Sequence, residues 1–127
     1  QTKWHNDLFK PYIVKASDKL LELLGDGFIK GITATAPGFY GPQGRKLRLN
    51  LAIEDLNSNL ESFDYQDKRI LNFEMETSAL YGLSKMLGHN AVTCCAVIAN
   101  RYHKTYSEDY KITVRNLILN ILDKLSQ

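Results

Sequence analysis

Cysteine is scarce in this 127-residue chain, and the two present, Cys94 and Cys95, are neighbours. A bridge between adjacent residues is strained, so no disulfide framework is expected. The pair reads as two buried thiols in an apolar run, suited to a reducing compartment. Histidine is scarce as well, and His5, His89 and His103 stand far apart without ligand spacing, which argues against a metal site. No apolar stretch reaches the length of a membrane span and no signal peptide precedes the fold, so a soluble, cytoplasmic protein is expected. The chain begins on Gln1 rather than methionine, as a processed, cloned or proteolysed piece would. Repeats, low-complexity tracts and linkers are missing too, which leaves one domain.

A basic stripe is also lacking. Sixteen Lys and Arg stand against fourteen Asp and Glu, mostly interleaved, for a net charge of +2. The one basic cluster, Arg45, Lys46 and Arg48, is too short to track a phosphate backbone, so nucleic acid is not implied. What remains is ordinary for a soluble protein: 44% hydrophobic and 24% charged residues. A globular chain of this size is expected to bury about two thirds of its unfolded surface.

The apolar pattern predicts strands alternating with helices, hence an α/β layered sheet with flanking helices. Pro11 to Ala16 reads as an extended connection. Ser17 caps a helix through Leu20, Leu21, Leu23 and Leu24 that Gly25 and Gly27 stop. Strands are expected at Phe28 to Ala36, Leu47 to Ile53 and Ala91 to Ala99, the last buried on both faces. A short helix is expected in Asn57 to Lys68. Glu76 to Gly88 reads as a helix with Ala79, Leu80, Leu83, Met86 and Leu87 inward. The closing helix carries Val114, Leu117, Ile118, Ile121, Leu122 and Leu125 on a face that must be buried.

Two segments carry chemistry. Asn72-Phe73-Glu74-Met75-Glu76-Thr77-Ser78-Ala79 sets two carboxylates around a methionine where an extended segment turns into a helix. Ionised carboxylates accept paired hydroxyl hydrogen bonds and a thioether moulds to a sugar's C–H face; equally, acids in a first turn sit in water and favour the helix dipole. The second segment runs from Gly31 through Pro37-Gly38-Phe39-Tyr40-Gly41-Pro42-Gln43-Gly44 to Arg45. A strand there breaks into a Gly/Pro loop offering an aromatic face, an amide and a forked cation, the groups that hold a planar heterocycle. A tight surface connection with Arg45 in water reads the same way.

Together with Ala96-Val97-Ile98-Ala99-Asn100-Arg101, these segments resemble the nucleoside phosphorylase family, and within it the uridine phosphorylases. Members have a strand leading to a Phe-Tyr loop with Gln and Arg one residue apart, then a Glu-Met-Glu helix start, then a strand ending in Asn-Arg. The resemblance runs from about Pro11 to the C-terminus and corresponds to roughly the second half of a member. It implies that the whole of 1–127 is the C-terminal part of a nucleoside phosphorylase domain, with the family's phosphate-binding glycine and arginine loops upstream.

The resemblance also assigns roles. Phe39 stacks on or edges the base, Gln43 and Arg45 read the uracil carbonyls and N3, and Ile98 lines the base pocket. Met75 packs on the ribose, Glu76 accepts from its hydroxyls, and Glu74, the first acid of the triplet, joins them as a substrate-binding residue. Arg101 matches an arginine near the uracil O4 edge, so Arg45 and Arg101 are the candidates for stabilising the departing base. On a plainer view Ile98 and Met75 are core and Arg101 a solvated strand end.

Purine-cleaving relatives place an aspartate where this chain has Asn100, which favours a pyrimidine; uridine, deoxyuridine and thymidine are not separated. The implied reaction is phosphorolysis of uridine by the complete protein, a homo-oligomer using uridine and phosphate with no cofactor and no metal, and the chain alone is expected to be inactive. A purine nucleoside phosphorylase or nucleosidase, and a non-catalytic nucleoside-binding domain, are the alternatives.

Overall fold

The computed structural model describes residues 10–101 and 103–127; His5 lies outside them. Residues 10–17 form no regular element, and Ser17 then caps helix α1 (Asp18–Leu24) by accepting from the Leu20 N–H. Gly25 closes it and Gly27, at φ 73°, turns the chain away. Strand β1 (Ile32–Thr35) leads through the Gly/Pro loop, which holds a 3-10 turn at Gly41–Gln43, to helix α2 (Leu56–Glu61). A hairpin of β2 (Asp64–Tyr65) and β3 (Lys68–Glu74) follows, then helix α3 (Thr77–Met86). The chain ends with the β4 (Ala99–Asn100) and β5 (Thr105–Tyr106) hairpin and helix α4 (Tyr110–Leu125).

The fold is mixed α/β, as expected. β1 and β3 run parallel, with Ala34 opposite Phe73 and Thr35 opposite Glu74, and β2 completes a three-stranded sheet in the order β1-β3-β2. Parallel pairing brings the carboxyl ends of β1 and β3 to the same edge. The loop after β1 and the Glu-Met-Glu segment after β3 therefore emerge side by side, where ligands sit in open α/β sheets.

Several elements differ from their expectation. Phe28 to Gly31 stay outside β1, and Leu47 to Ile53 form bends with Leu47 and Leu49 exposed. A strand needs a neighbour, and none pairs with that stretch among the described residues. The helix expected in Asn57 to Lys68 ends at Glu61. The chain then reverses through Gln66 and Asp67, both at positive φ (52° and 59°), in the twist that two-residue hairpin turns require.

The apolar run from Ala91 is regular only at Ala99–Asn100. With no strand beside it, Cys94 is half-buried and Cys95 exposed, rather than both being buried. Both thiols are free.

Helix α3 turns a different face inward from the one predicted, and the predicted face of α4 is only partly covered. On α3, Thr77 is buried and Ser78, Tyr81, Gly82 and Ser84 are half-buried, whereas Ala79, Leu80, Leu83, Met86 and Leu87 are exposed. Polar anchors set this rotation: Ser78 N–H donates to Thr35 Oγ1, Thr77 and Thr93 share a hydroxyl hydrogen bond, and Tyr81 Oη accepts from Thr93 N–H. No residue of α4 is buried; Leu117 and Ile121 are half-covered, while Val114, Ile118, Leu122 and Leu125 face outward.

The accessible surface is 10391 Å² for a 14.5 kDa chain. A compact monomer of that mass exposes about 6,900 Å² and its extended chain about 21,000 Å². Roughly half of the unfolded surface is thus buried instead of two thirds, and large apolar side chains stand open along the chain, those of α3 and α4 among them. Among the described residues no helix is long and apolar enough to cross a membrane.

Candidate functional site

The three motif segments meet at the carboxyl ends of β1 and β3. Tyr40 O accepts from the N–H groups of Gln43 and Arg45, which folds the loop back on itself. Gly44 makes the fold possible. Its φ is 70°, and a Cβ there would stand 2.5 Å from the Asn57 side chain, so a larger residue would be both strained and crowded. The turn buries Gln43, which is 3% exposed, and leaves Arg45 half-buried.

Arg101 binds Gln43 twice. Its Nη1 donates to the Gln43 carbonyl oxygen at 2.6 Å and its Nη2 to Gln43 Oε1. The same guanidinium lies over the Phe73 ring of β3, 4.9 Å from its centroid. Arg101 is therefore no solvated strand end: it joins the Gly/Pro loop, the strand carrying the acids and the Asn-Arg segment. With Oε1 engaged, the amide nitrogen of Gln43 is the group left to meet a carbonyl.

The Arg45 guanidinium sits 3.6 Å from the Phe39 ring centroid, and Tyr40 meets that ring edge-on at 5.3 Å and 89°. Arg45 thus takes one face of Phe39, the ring expected to stack on a base. Phe39 keeps 50% of its surface exposed, enough for a ligand at its other face or edge. Burial, then the nearby charge of Arg45, hold the proton affinity of Arg101 below its ordinary value, against a raising contribution from Tyr106. Two guanidiniums that feel each other's charge favour an anion at this end of the site.

At the other end, Glu74 is engaged by its own fold. Its Oε1 accepts from the Thr35 hydroxyl, and its Oε2 from the N–H groups of Glu76 (2.7 Å) and Thr77 (2.6 Å). Helix α3 is thereby capped from the sheet, since Glu76, at the N-cap position, makes no side-chain cap hydrogen bond. Glu74 was expected among the substrate-binding residues; in the structure both its oxygens are committed to this cap. Burial pushes its carboxyl up, but hydrogen bonds from Thr35, Thr77 and the two backbone amides outweigh that and leave it below 4.5.

That lowering has a sign. A depressed folded-state value adds stability that is fully present above the unfolded value near 4.5 and is lost as pH falls through the lower folded one. Thermal unfolding of Glu74→Gln is expected to show a lower midpoint than wild type at neutral pH and a smaller further drop on acidification to about pH 3. Parallel curves for the two proteins would remove Glu74 from the cap.

Met75 is 41% exposed, Glu76 is exposed and Ile98 is 44% exposed, so neither Met75 nor Ile98 is core. The Glu76 carboxylate, spared from capping, is available to hydroxyls. Thr35 and Phe73 lie within the two motif segments, but residue type alone assigns them no role. Their signal was positional: each lies at or near the carboxyl end of one of two parallel strands, and the pairing that makes this matter is invisible in the chain itself.

A scan against protein-family models finds no match. Over 80 residues, 63% of the chain, the sequence is 42% identical to the uridine phosphorylase of Thermococcus kodakarensis, and the match covers 28% of that protein. The solved structure of a Trypanosoma brucei nucleoside phosphorylase, which shows uridine phosphorylase activity, superposes with a TM-score of 0.70 at 32% identity, over 83% of this chain and 35% of its own. The chain spans roughly a third of the length of these relatives. Over that span, in sequence and in fold, it is related to the nucleoside phosphorylases.

Proposed function

We propose that the full-length protein carrying this chain cleaves uridine with phosphate, giving uracil and ribose 1-phosphate. The observation that carries the reading is Arg101 held on buried Gln43 beside Arg45, at the carboxyl ends of two parallel strands. In phosphorolysis a phosphate oxygen bonds to C1′ as the bond from C1′ to the base breaks and its electron pair leaves with the base. The sugar gains oxocarbenium character and uracil departs as an anion. Fixed cations at the base stabilise that charge more than they stabilise neutral uridine, which is the condition for a faster reaction.

On this reading Gln43 and Arg45 meet the uracil edge, Phe39 and Ile98 line its faces, Arg101 holds Gln43 and adds charge, and Met75 and Glu76 take the ribose. A pyrimidine is favoured over a purine because position 100 carries an amide, its oxygen accepting from the His103 N–H at 3.1 Å, and not an acid to serve a purine nitrogen. Both site cations are committed at the base end, so we place the phosphate-holding groups outside these 127 residues. The open apolar faces of α3 and α4 suit burial against further protein, which supports a homo-oligomer.

The test is uracil release by the full-length protein with and without phosphate. Release that depends on phosphate is expected. Equal rates in both buffers would identify a nucleosidase, faster cleavage of inosine a purine enzyme, and uridine binding without turnover a nucleoside-binding domain.

A further inference from the structure

The cap on α3 is shared between two strands. Thr35 Oγ1 donates to Glu74 Oε1 and accepts from the Ser78 N–H at 2.9 Å, while Glu74 Oε2 takes the N–H groups of Glu76 and Thr77. Three successive amides at the helix start are thus satisfied by a carboxylate from β3 and a hydroxyl from β1. Helix starts are ordinarily capped by the side chain of the N-cap residue itself. Here that residue is Glu76, and its side chain makes no cap bond.

Two consequences follow. Glu76 keeps its carboxylate for another partner, and the backbone around Met75 and Glu76 is pinned on both sides, by Glu74 before it and by the Thr77 and Ser78 amides after it. Among the described residues the Thr35 side chain is what ties the Glu74 carboxylate to β1, and its register partner across the parallel ladder is Glu74 itself. The hydroxyl is half-buried, and a methyl in its place would orphan both the Ser78 N–H and one oxygen of Glu74.

Building on the proposed uridine phosphorolysis, we propose that Thr35 is a positioning residue: acting through Glu74, it sets where Met75 and Glu76 meet the ribose. A carboxylate that must accept paired sugar hydroxyls tolerates little displacement, because charge-assisted bonds lose their strength as the geometry slips. Losing the hydroxyl should therefore weaken the grip on the nucleoside and leave the grip on phosphate alone.

The experiment compares wild type, Thr35→Val, Thr35→Ser, Glu76→Gln and the Thr35→Val/Glu76→Gln double variant of the full-length protein, with KM measured separately for uridine and phosphate. Thr35→Val is expected to raise the uridine KM about tenfold while the phosphate KM stays put. Thr35→Ser, which keeps the hydroxyl, is expected to restore most of the loss. In the Glu76→Gln background, Thr35→Val should cost far less than it does alone, since the group it positions is already impaired. A role confined to stability would lower active-site content and thermal midpoint at unchanged KM, and would cost the same in both backgrounds.

Unaltered uridine KM in Thr35→Val, or equal losses with and without Glu76, overturns the inference and leaves the phosphorolysis reading standing. If Thr35→Val does not fold, Thr35→Ser and Thr35→Ala carry the same comparison. Wild-type protein that neither binds nor cleaves uridine overturns both.

Discussion

Replacing Arg101 by alanine is expected to lower kcat/KM for uridine phosphorolysis by about a hundredfold or more, with most of the loss in kcat. Two charge-assisted hydrogen bonds to Gln43 disappear, each with a net contribution of about 1.5–3 kcal/mol, and every 1.4 kcal/mol is about tenfold. Gln43 is 3% exposed, so its oxygens are left buried without their partner and its amide loses its fixed direction. On the proposed mechanism the removed cation is also one of two that await the charge on the leaving base, so the transition state should suffer more than the ground state. Arg101→Lys should recover little, because an ammonium cannot reproduce a fork that reaches the Gln43 backbone and side chain together while lying on Phe73. Lys46→Ala, at an exposed position of the same loop, is the control and should stay near wild type. A kcat/KM for Arg101→Ala within threefold of wild type would show that Arg101 neither holds Gln43 for catalysis nor carries the charge.

The difference between what could be read in the chain and what could not has a physical basis. Local signals were sufficient where the cause is local. Ser17 caps α1, the Gly/Pro loop follows β1, and the acid triplet ends a strand and starts a helix, because capping, turn formation and helix initiation depend on a few neighbouring residues. Signals failed where the cause is a partner distant in sequence. Ala91 to Ile98 has strand composition, but a strand forms by pairing, and nothing pairs with it among the described residues. The apolar stripe of α3 suggested an inward face, yet the hydroxyls of Thr35, Thr93 and Tyr81 decide its rotation.

The site shows the same division. Gln43 and Arg45 stand out by residue type and Arg101 by family likeness, and the structure brings Arg101 onto Gln43 across 58 positions of sequence. The role of Glu74 could not be read that way. A carboxylate before a helix serves as a ligand or as a cap depending on what faces it, and what faces it is Thr35 on the neighbouring strand. Family likeness gives Met75 and Glu76 distinct ribose contacts and places Glu74 beside them, whereas the hydrogen bonds make Glu74 a cap and leave Met75 and Glu76 outward.

The 127-residue chain by itself is expected to show negligible phosphorolysis, at least about 10⁵-fold below the full-length protein, even when it folds and binds uracil. Stabilising the departing base does not bring the nucleophile to C1′, and holding two reactants in a productive geometry contributes about 7–11 kcal/mol. On the proposed reading Arg45 and Arg101 both serve the base, Arg101 being held by Gln43, so the phosphate opposite the base needs other groups. The open faces of α3 and α4 add a second cause. Leu80, Leu83, Met86 and Leu87 on one helix and Ile118, Leu122 and Leu125 on the other stand in water, and the start of α3 carries Met75 and Glu76. Burying about 1,000 Å² of such surface contributes on the order of 25 kcal/mol before entropic costs, so a helix left without that cover holds its first turn less firmly. Purified chain should therefore show a low, concentration-dependent unfolding midpoint, and uracil formation at saturating uridine and phosphate should stay at background. Turnover near that of the full-length protein would require a phosphate grip within residues 1–127 and would overturn the assignment of both cations to the base.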